Sequence, residues 1–194
     1  MIADGKRGDV PVSARAYGQA MVGETGSPFG PVPGLGADAF TANPLLGDDA
    51  LEPMVEAARQ AGSGVFALVR TSNPGAADVE DLRTSEGPVH EHLARMVERF
   101  GGRLAGERSE LSGMGAVVGA TAPEHIARLR ELMPRAVFLV PGVGAQGGRP
   151  EDLGAAFACG RAGAVVSASR SIAGAEDPAA AAEELRAAVW AVSG

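Results

Sequence analysis

Six short, nearly continuous apolar runs punctuate the chain, at residues 1–4, 37–42, 64–70, 114–120, 136–141 and 163–167. Each is too short for a helix and lacks the alternation of apolar and polar positions that a half-solvated strand shows. Runs of this kind belong to parallel strands covered on both faces, so all six are expected to be buried on both sides. The stretches between them carry helix signals. Asp48 and Asp49 precede a helix expected over 51–61 that Gly62 stops, and Thr121 precedes one over 123–132 with Pro134 beyond it. Further helices are expected over 88–100, closed by Gly101 and Gly102, over 151–160, and over 178–192. The stretch GETGSPFGPVPGLG, 23–36, holds three prolines and five glycines and reads as a loop.

Repeated βα units build either an open doubly wound sheet or a closed eight-stranded barrel. Polar or glycine-rich segments (DGKRGD, RTSNPG, PGVGAQGG, SASRS) follow four different strands. Chemistry spread over many strand ends favours the barrel, because an open sheet gathers its site in one crevice. The expected fold is therefore α/β, of the (β/α)8 TIM-barrel class, with about six of the eight units present in one partial-barrel domain over 1–194.

Composition narrows the classes of function. A chain of 194 residues, 45% hydrophobic, suffices for one core and contains no run near the roughly 18–20 apolar residues of a membrane span. Charge at the start argues against a signal peptide, so the cytoplasm is the expected compartment. With 17 basic and 24 acidic residues the net charge is −7, which disfavours nucleic-acid binding yet leaves room for a local anion pocket. The single cysteine, Cys159, has no internal disulfide partner and reads as a small buried hydrophobe. His90, His92 and His125 read as surface or helix-packing residues, and no Cys/His cluster has metal-ligand spacing.

Four segments are candidates for chemistry. Asp4-x-Lys6-x-x-Asp9 is either a solvated turn or an ammonium held by carboxylates. In PGVGAQGG, 141–148, Gly144 and Gly147 would let the backbone approach a ligand and offer amides to an anion; a plain turn is the alternative, although Gln146 adds a polar tip that a turn does not need. Arg170 in SASRS stands near a helix start, where the dipole disfavours a cation and a bound anion would explain it. Ser72 and Asn73 in RTSNPG could hydrogen-bond a planar amide-bearing ring or form an ordinary turn, and Asn43-Pro44 is similar.

Taken in order, DGKRGD, DAFTANPLLG, VFALVRTSNPG, VVGAT, FLVPGVGAQGG and SASRS resemble the orotidine 5'-phosphate decarboxylase family, in its longer bacterial form, over essentially the whole chain. The resemblance implies a barrel, a homodimer, and conversion of orotidine monophosphate to uridine monophosphate in pyrimidine biosynthesis without metal or cofactor. It implies that Lys6 protonates C6 as carbon dioxide leaves, with Asp4 beside it and Asp9 reaching into the neighbouring subunit's site. Ser13, where the family usually has threonine, keeps the hydroxyl. Ser72 would meet the pyrimidine edge, and Gln146 and Arg170 would hold the phosphate at the Gly144 and Gly147 loop. The family also places an aspartate after strand one and a lysine after strand two. Counted back from the last strand, DGKRGD ends strand three, so those positions have no counterpart here. The expectation is a fragment lacking two βα units, a misassigned start, or a truncated relative without activity. Two further readings stand beside it: a metal-dependent hexulose-phosphate synthase or ketogulonate-phosphate decarboxylase sharing Asp-x-Lys-x-x-Asp, and a non-catalytic phosphate-binding or assembly module.

Overall fold

The computed structural model describes residues 1–106 and 108–194. At its centre a parallel six-stranded sheet runs in chain order through β1 (Ile2–Arg7), β2 (Ala39–Ala42), β3 (Gly64–Arg70), β4 (Ser112–Val118), β5 (Ala136–Val140) and β6 (Ala164–Val166). The order never reverses. A doubly wound sheet must reverse at its switch point, so this is the wall of a barrel, six strands wide.

Seven α-helices accompany it among the described residues: α1 (Pro11–Met21), α2 (Asp48–Ala61), α3 (Ala76–Val79), α4 (Val89–Gly101), α5 (Ile126–Leu132), α6 (Arg170–Ala173) and α7 (Pro178–Val192). The main core lies between sheet and helices, where Phe40, Val65, Val69, Met114 and Phe138 meet Leu51, Met54, Leu93, Val97, Ile126 and Leu129. Full burial of one such side chain contributes about 1.5–3 kcal/mol. A smaller cluster of Ala39, Phe66 and Val117 occupies the other face, with Ile2, Leu68, Val137 and Leu139 only partly covered.

Five expectations need correction. The outer strands are not buried on both faces: Asp4 to Arg7 of β1 are exposed, and Val165 of β6 is 44% exposed. Each of these strands has a neighbour on one side only, while the inner β2 is buried throughout. Helix α1 was not anticipated; Pro11 stands in its first turn, and it buries only Ala14 and Gly18. At Gly18 a Cβ would fall 2.9 Å from that of Ala57, so glycine allows α1 to lie close on α2. The loop 23–36 contains a small antiparallel ribbon of Glu24–Thr25 with Val32–Pro33.

Finally, the segment expected as a helix over 151–160 is a 3-10 helix, Pro150–Phe157. The buried guanidinium of Arg130 donates to the carbonyls of Ala156 (2.8 Å) and Gly163 (3.0 Å), and also to those of Met133 and Ala136, which ties the end of this segment to α5 and β5. It lies 3.7 Å from the Phe138 ring centroid and has no carboxylate partner among the described residues. Cys159 is half-buried rather than buried, and stands in the turn after Phe157 rather than in a helix. No helix among the described residues is long and apolar enough to cross a membrane.

Candidate active site

Lys6 stands near the C-terminal end of β1 and is the single lysine of the chain; the other 16 of its 17 basic residues are arginines. Its φ of 50° is the one positive value for a non-glycine among the described residues. That backbone costs about 1–2 kcal/mol for an L-residue, so something must hold it. The Lys6 N–H donates to Thr41 Oγ1 at 2.9 Å, across a shift in the β1–β2 register between Ala3 and Arg7. The Thr41 hydroxyl in turn donates to Asp4 Oδ1 at 2.9 Å, and Lys6 Nζ donates to Asp4 Oδ2 at 2.5 Å. From α1, the Tyr17 hydroxyl donates to the Thr41 carbonyl at 3.0 Å. Partial burial alone would raise the Asp4 carboxyl, but the hydrogen bonds from Lys6 and Thr41 outweigh it and hold the group below its ordinary value. Asp4 is therefore ionised at neutral pH and poised beside the ammonium.

Asp9 does not complete the pair from the other side. It is exposed, and its Oδ1 accepts the Val10 N–H at 2.7 Å. Ser13, also exposed, follows on α1.

A second group of side chains gathers where β3, β4, β5 and β6 end. Ser72 Oγ donates to Gln146 Oε1 at 3.0 Å, and the Ser72 carbonyl accepts from Thr121 Oγ1 at 3.0 Å. In the loop after β5, Gly142, Gly144 and Gly147 have φ of 99°, 77° and 94°, which only glycine adopts without strain. The amides of Gly144, Gly147 and Gly148 bond to carbonyls inside this loop. Those three amides are taken up in forming the turn, whereas the amides of Ala145 and Gln146 make no bond among the described residues. A Cβ at Gly144 would fall 2.9 Å from Ser171 Oγ, so this loop touches the SASRS segment. Arg170 opens α6, exposed, and its guanidinium makes no hydrogen bond or ion pair among the described residues. The structure brings Ser72, Gln146 and Gly142 together, sets Gly144 against Ser171, and leaves the neighbouring Arg170 exposed.

Behind Ser72 lies a brace. Arg70 forks onto Asp81, Nε to Oδ1 at 2.9 Å and Nη2 to Oδ2 at 3.0 Å, while Glu80 Oε2 accepts the Thr71 N–H at 2.8 Å. The Arg70 hydrogen bond holds the Asp81 carboxyl below its usual range. His90 Nδ1 lies 3.1 Å and His125 Nε2 3.8 Å from Asp81 Oδ1. By spacing alone Asp81, His90 and His125 could hold a metal ion, but the guanidinium already occupies both carboxylate oxygens, so a metal would have to displace it. His90 is buried, and His92 instead lies 2.7 Å from the Thr84 hydroxyl.

Thr41, Tyr17, Glu80 and Asp81 escaped the reading of the sequence. For Thr41 a signal existed: a hydroxyl inside a fully buried strand requires a polar partner. The other three bond across the fold and leave no local trace.

The family model for orotidine 5'-phosphate decarboxylase / HUMPS matches residues 1–185. The chain belongs to this family. Among members of the orotidine 5'-phosphate decarboxylase / HUMPS family, the orotidine 5'-phosphate decarboxylase of Rhodopirellula baltica is 42% identical over 175 residues, covering 89% of this chain and 56% of that protein. That of Deinococcus radiodurans is 43% identical over 172 residues, covering 89% and 58%. The solved OMP decarboxylase of Leishmania donovani superposes with a TM-score of 0.74 at 33% identity, over 99% of this chain and 68% of that one. The chain thus spans little more than half the length of the curated relatives it matches. This accounts for a wall six strands wide in a fold that closes with eight.

Proposed function

We propose that this chain, as one partial-barrel domain over 1–194, carries the acid and the phosphate side of an orotidine 5'-phosphate decarboxylase. The observation that carries the reading is the placement of the only lysine, held in a left-handed backbone at a strand end with its ammonium 2.5 Å from an ionised Asp4. When the bond from C6 of the pyrimidine to the carboxylate breaks, its electron pair stays on C6, and the ring offers no sink for it. Stabilisation has to come from fixed charge and from a proton delivered to that carbon. Lys6 Nζ supplies the proton, and the hydrogen bond to Asp4 keeps the ammonium aimed. Ser72 and Gln146, joined at 3.0 Å, bridge the pyrimidine side to the phosphate side, and Arg170, with no partner of its own among the described residues, takes the phosphate.

Asp9 and Ser13 serve the neighbouring subunit of a homodimer. Their exposure, and that of Val10 (56%) and Val12 (82%) between them, suits a surface that a second copy covers. The remaining charges of the network and the first two strands of the barrel come from a further βαβα segment, and the working enzyme resides in the cytoplasm.

The test is uridine monophosphate formation from orotidine monophosphate, measured on the chain alone and on the chain mixed with a two-unit βαβα polypeptide taken from a curated relative, each with and without a chelator. Turnover in the mixture that a chelator leaves unchanged is the expected result. Chelator-sensitive activity would point to a metal-dependent hexulose-phosphate synthase or ketogulonate-phosphate decarboxylase. Nucleotide binding without turnover in any arm would point to a non-catalytic module.

A further inference from the structure

We infer that Thr41 is a positioning residue for the Lys6–Asp4 pair, a role whose catalytic meaning rests on the decarboxylase reading. Thr41 is 0% exposed in a strand buried on both faces. If it served only to build that strand, valine would serve equally well, being of the same shape, β-branched and apolar. The hydroxyl distinguishes the two. A hydroxyl has one proton and can accept as well as donate. Here it accepts the Lys6 N–H, so its own proton is free for Asp4 Oδ1, and both bonds measure 2.9 Å. The series backbone N–H, hydroxyl, carboxylate therefore runs in one direction and ends on an oxygen that must be an acceptor.

Two consequences follow from that single buried atom. With Oδ1 of Asp4 fixed on Thr41, Oδ2 is turned toward Lys6 Nζ. The left-handed backbone from which the lysine departs is fixed by the same oxygen. Lys6 and Asp4 have side chains 49% and 55% exposed, and a half-solvated lysine with four rotatable bonds does not hold one geometry unaided. Tyr17 secures the arrangement from α1 by donating to the Thr41 carbonyl. Misplacement of a reacting group by about 1 Å can cost roughly 10²-fold in rate, so a buried hydroxyl outside the site can govern chemistry inside it.

Because the chain has one lysine, acylation of its side chain by acetic anhydride reports this site alone and requires no turnover. The extent of Lys6 acetylation at a fixed pH would be read by mass spectrometry in the 194-residue chain and in Thr41→Val, Thr41→Ser, Asp4→Asn and Tyr17→Phe. Asp4→Asn should acetylate several-fold faster than the parent, Thr41→Val should approach it, and Thr41→Ser should match the parent. Tyr17→Phe, which leaves the strand untouched, should shift in the same direction by less and covers the case in which Thr41→Val fails to fold. Parent-like labelling of a folded Thr41→Val alongside fast labelling of Asp4→Asn would overturn the role, and so would an Asp4→Asn that labels no faster than the parent. In the completed enzyme Thr41→Val should lower kcat at least tenfold with KM within about threefold, and Thr41→Ser should restore it. Failure of the decarboxylase reading would appear differently, as no turnover in the parent with the labelling contrast intact.

Discussion

The left-handed backbone at Lys6 makes a comparison of two substitutions sharper than either alone. Lys6→Ala and Lys6→Gly both delete the ammonium, so the half-exposed ion pair with Asp4, worth about 0–1 kcal/mol, cancels between them. They differ in what the backbone requires. Alanine retains the cost of about 1–2 kcal/mol for φ near 50°, whereas glycine is free of it. Glycine also gains freedom in the unfolded chain, which offsets roughly 0.5–1 kcal/mol of that relief. Lys6→Gly should therefore be more stable than Lys6→Ala by about 0.5–1 kcal/mol. At a denaturant dependence of roughly 2 kcal/mol per M, that is a urea midpoint higher by about 0.3–0.5 M, measurable by circular dichroism. Neither variant should form uridine monophosphate when completed by the missing units, and both should still bind a substrate analogue. A Lys6→Ala as stable as Lys6→Gly would show that the backbone there is unstrained, and turnover in Lys6→Ala within about tenfold of the parent would remove Lys6 as the acid.

Three further outcomes are expected. Arg170→Ala should weaken binding of nucleoside monophosphates far more than of the matching nucleosides in calorimetric titration; equal losses would take Arg170 away from the phosphate. Burial, and then the neighbouring His125, push the His90 imidazole below its ordinary value, so the fold holds it neutral. That contribution is complete above about pH 6.5 and is lost as pH falls through 6.5 toward the folded value, because the unfolded chain takes up the proton first. The urea midpoint should accordingly drop between about pH 7.5 and pH 5.5, and His90→Asn should flatten the drop; an unchanged slope would place the acid sensitivity elsewhere. The open edges of β1 and β6 should make the chain self-associate in sedimentation velocity, and Val165→Lys on β6 should reduce it. A monodisperse parent chain would contradict this.

What could be read from residues alone follows from where each signal resides. Strand β3 coincides with the run 64–70 and α7 with the stretch 178–192, because a continuous apolar run and a proline-started, alanine-rich helix are local patterns. The seats of Lys6, Ser72 and Gln146 at strand ends were legible for the same reason: each stands in a polar segment immediately after an apolar one. The exposure of Val165 on β6 was not legible, since it is as apolar as an interior residue and its exposure depends on what lies beside it. The 3-10 form of Pro150–Phe157 was not legible either, since Pro150 followed by Glu151 and Asp152 is an equally good start for an α-helix. Gly144 and Gly147 were identified as a turn-capable pair, yet only the loop's internal bonds show that their amides are already spent.

The strand order also bears on how the molecule would assemble. Since β1 to β6 pair strictly in the order of synthesis, each βα unit docks on the one made just before it, and no strand waits for a distant partner. Stability in such an array accumulates approximately one interface at a time, as in a solenoid. Absent units then cost the array two terminal interfaces and leave those in the middle intact, so Phe40, Val65, Met114 and Phe138 can remain fully packed while Lys6 at one rim and Val165 at the other stay open to water. A barrel wall built this way can grow or be completed from its ends, with its one lysine standing at the seam.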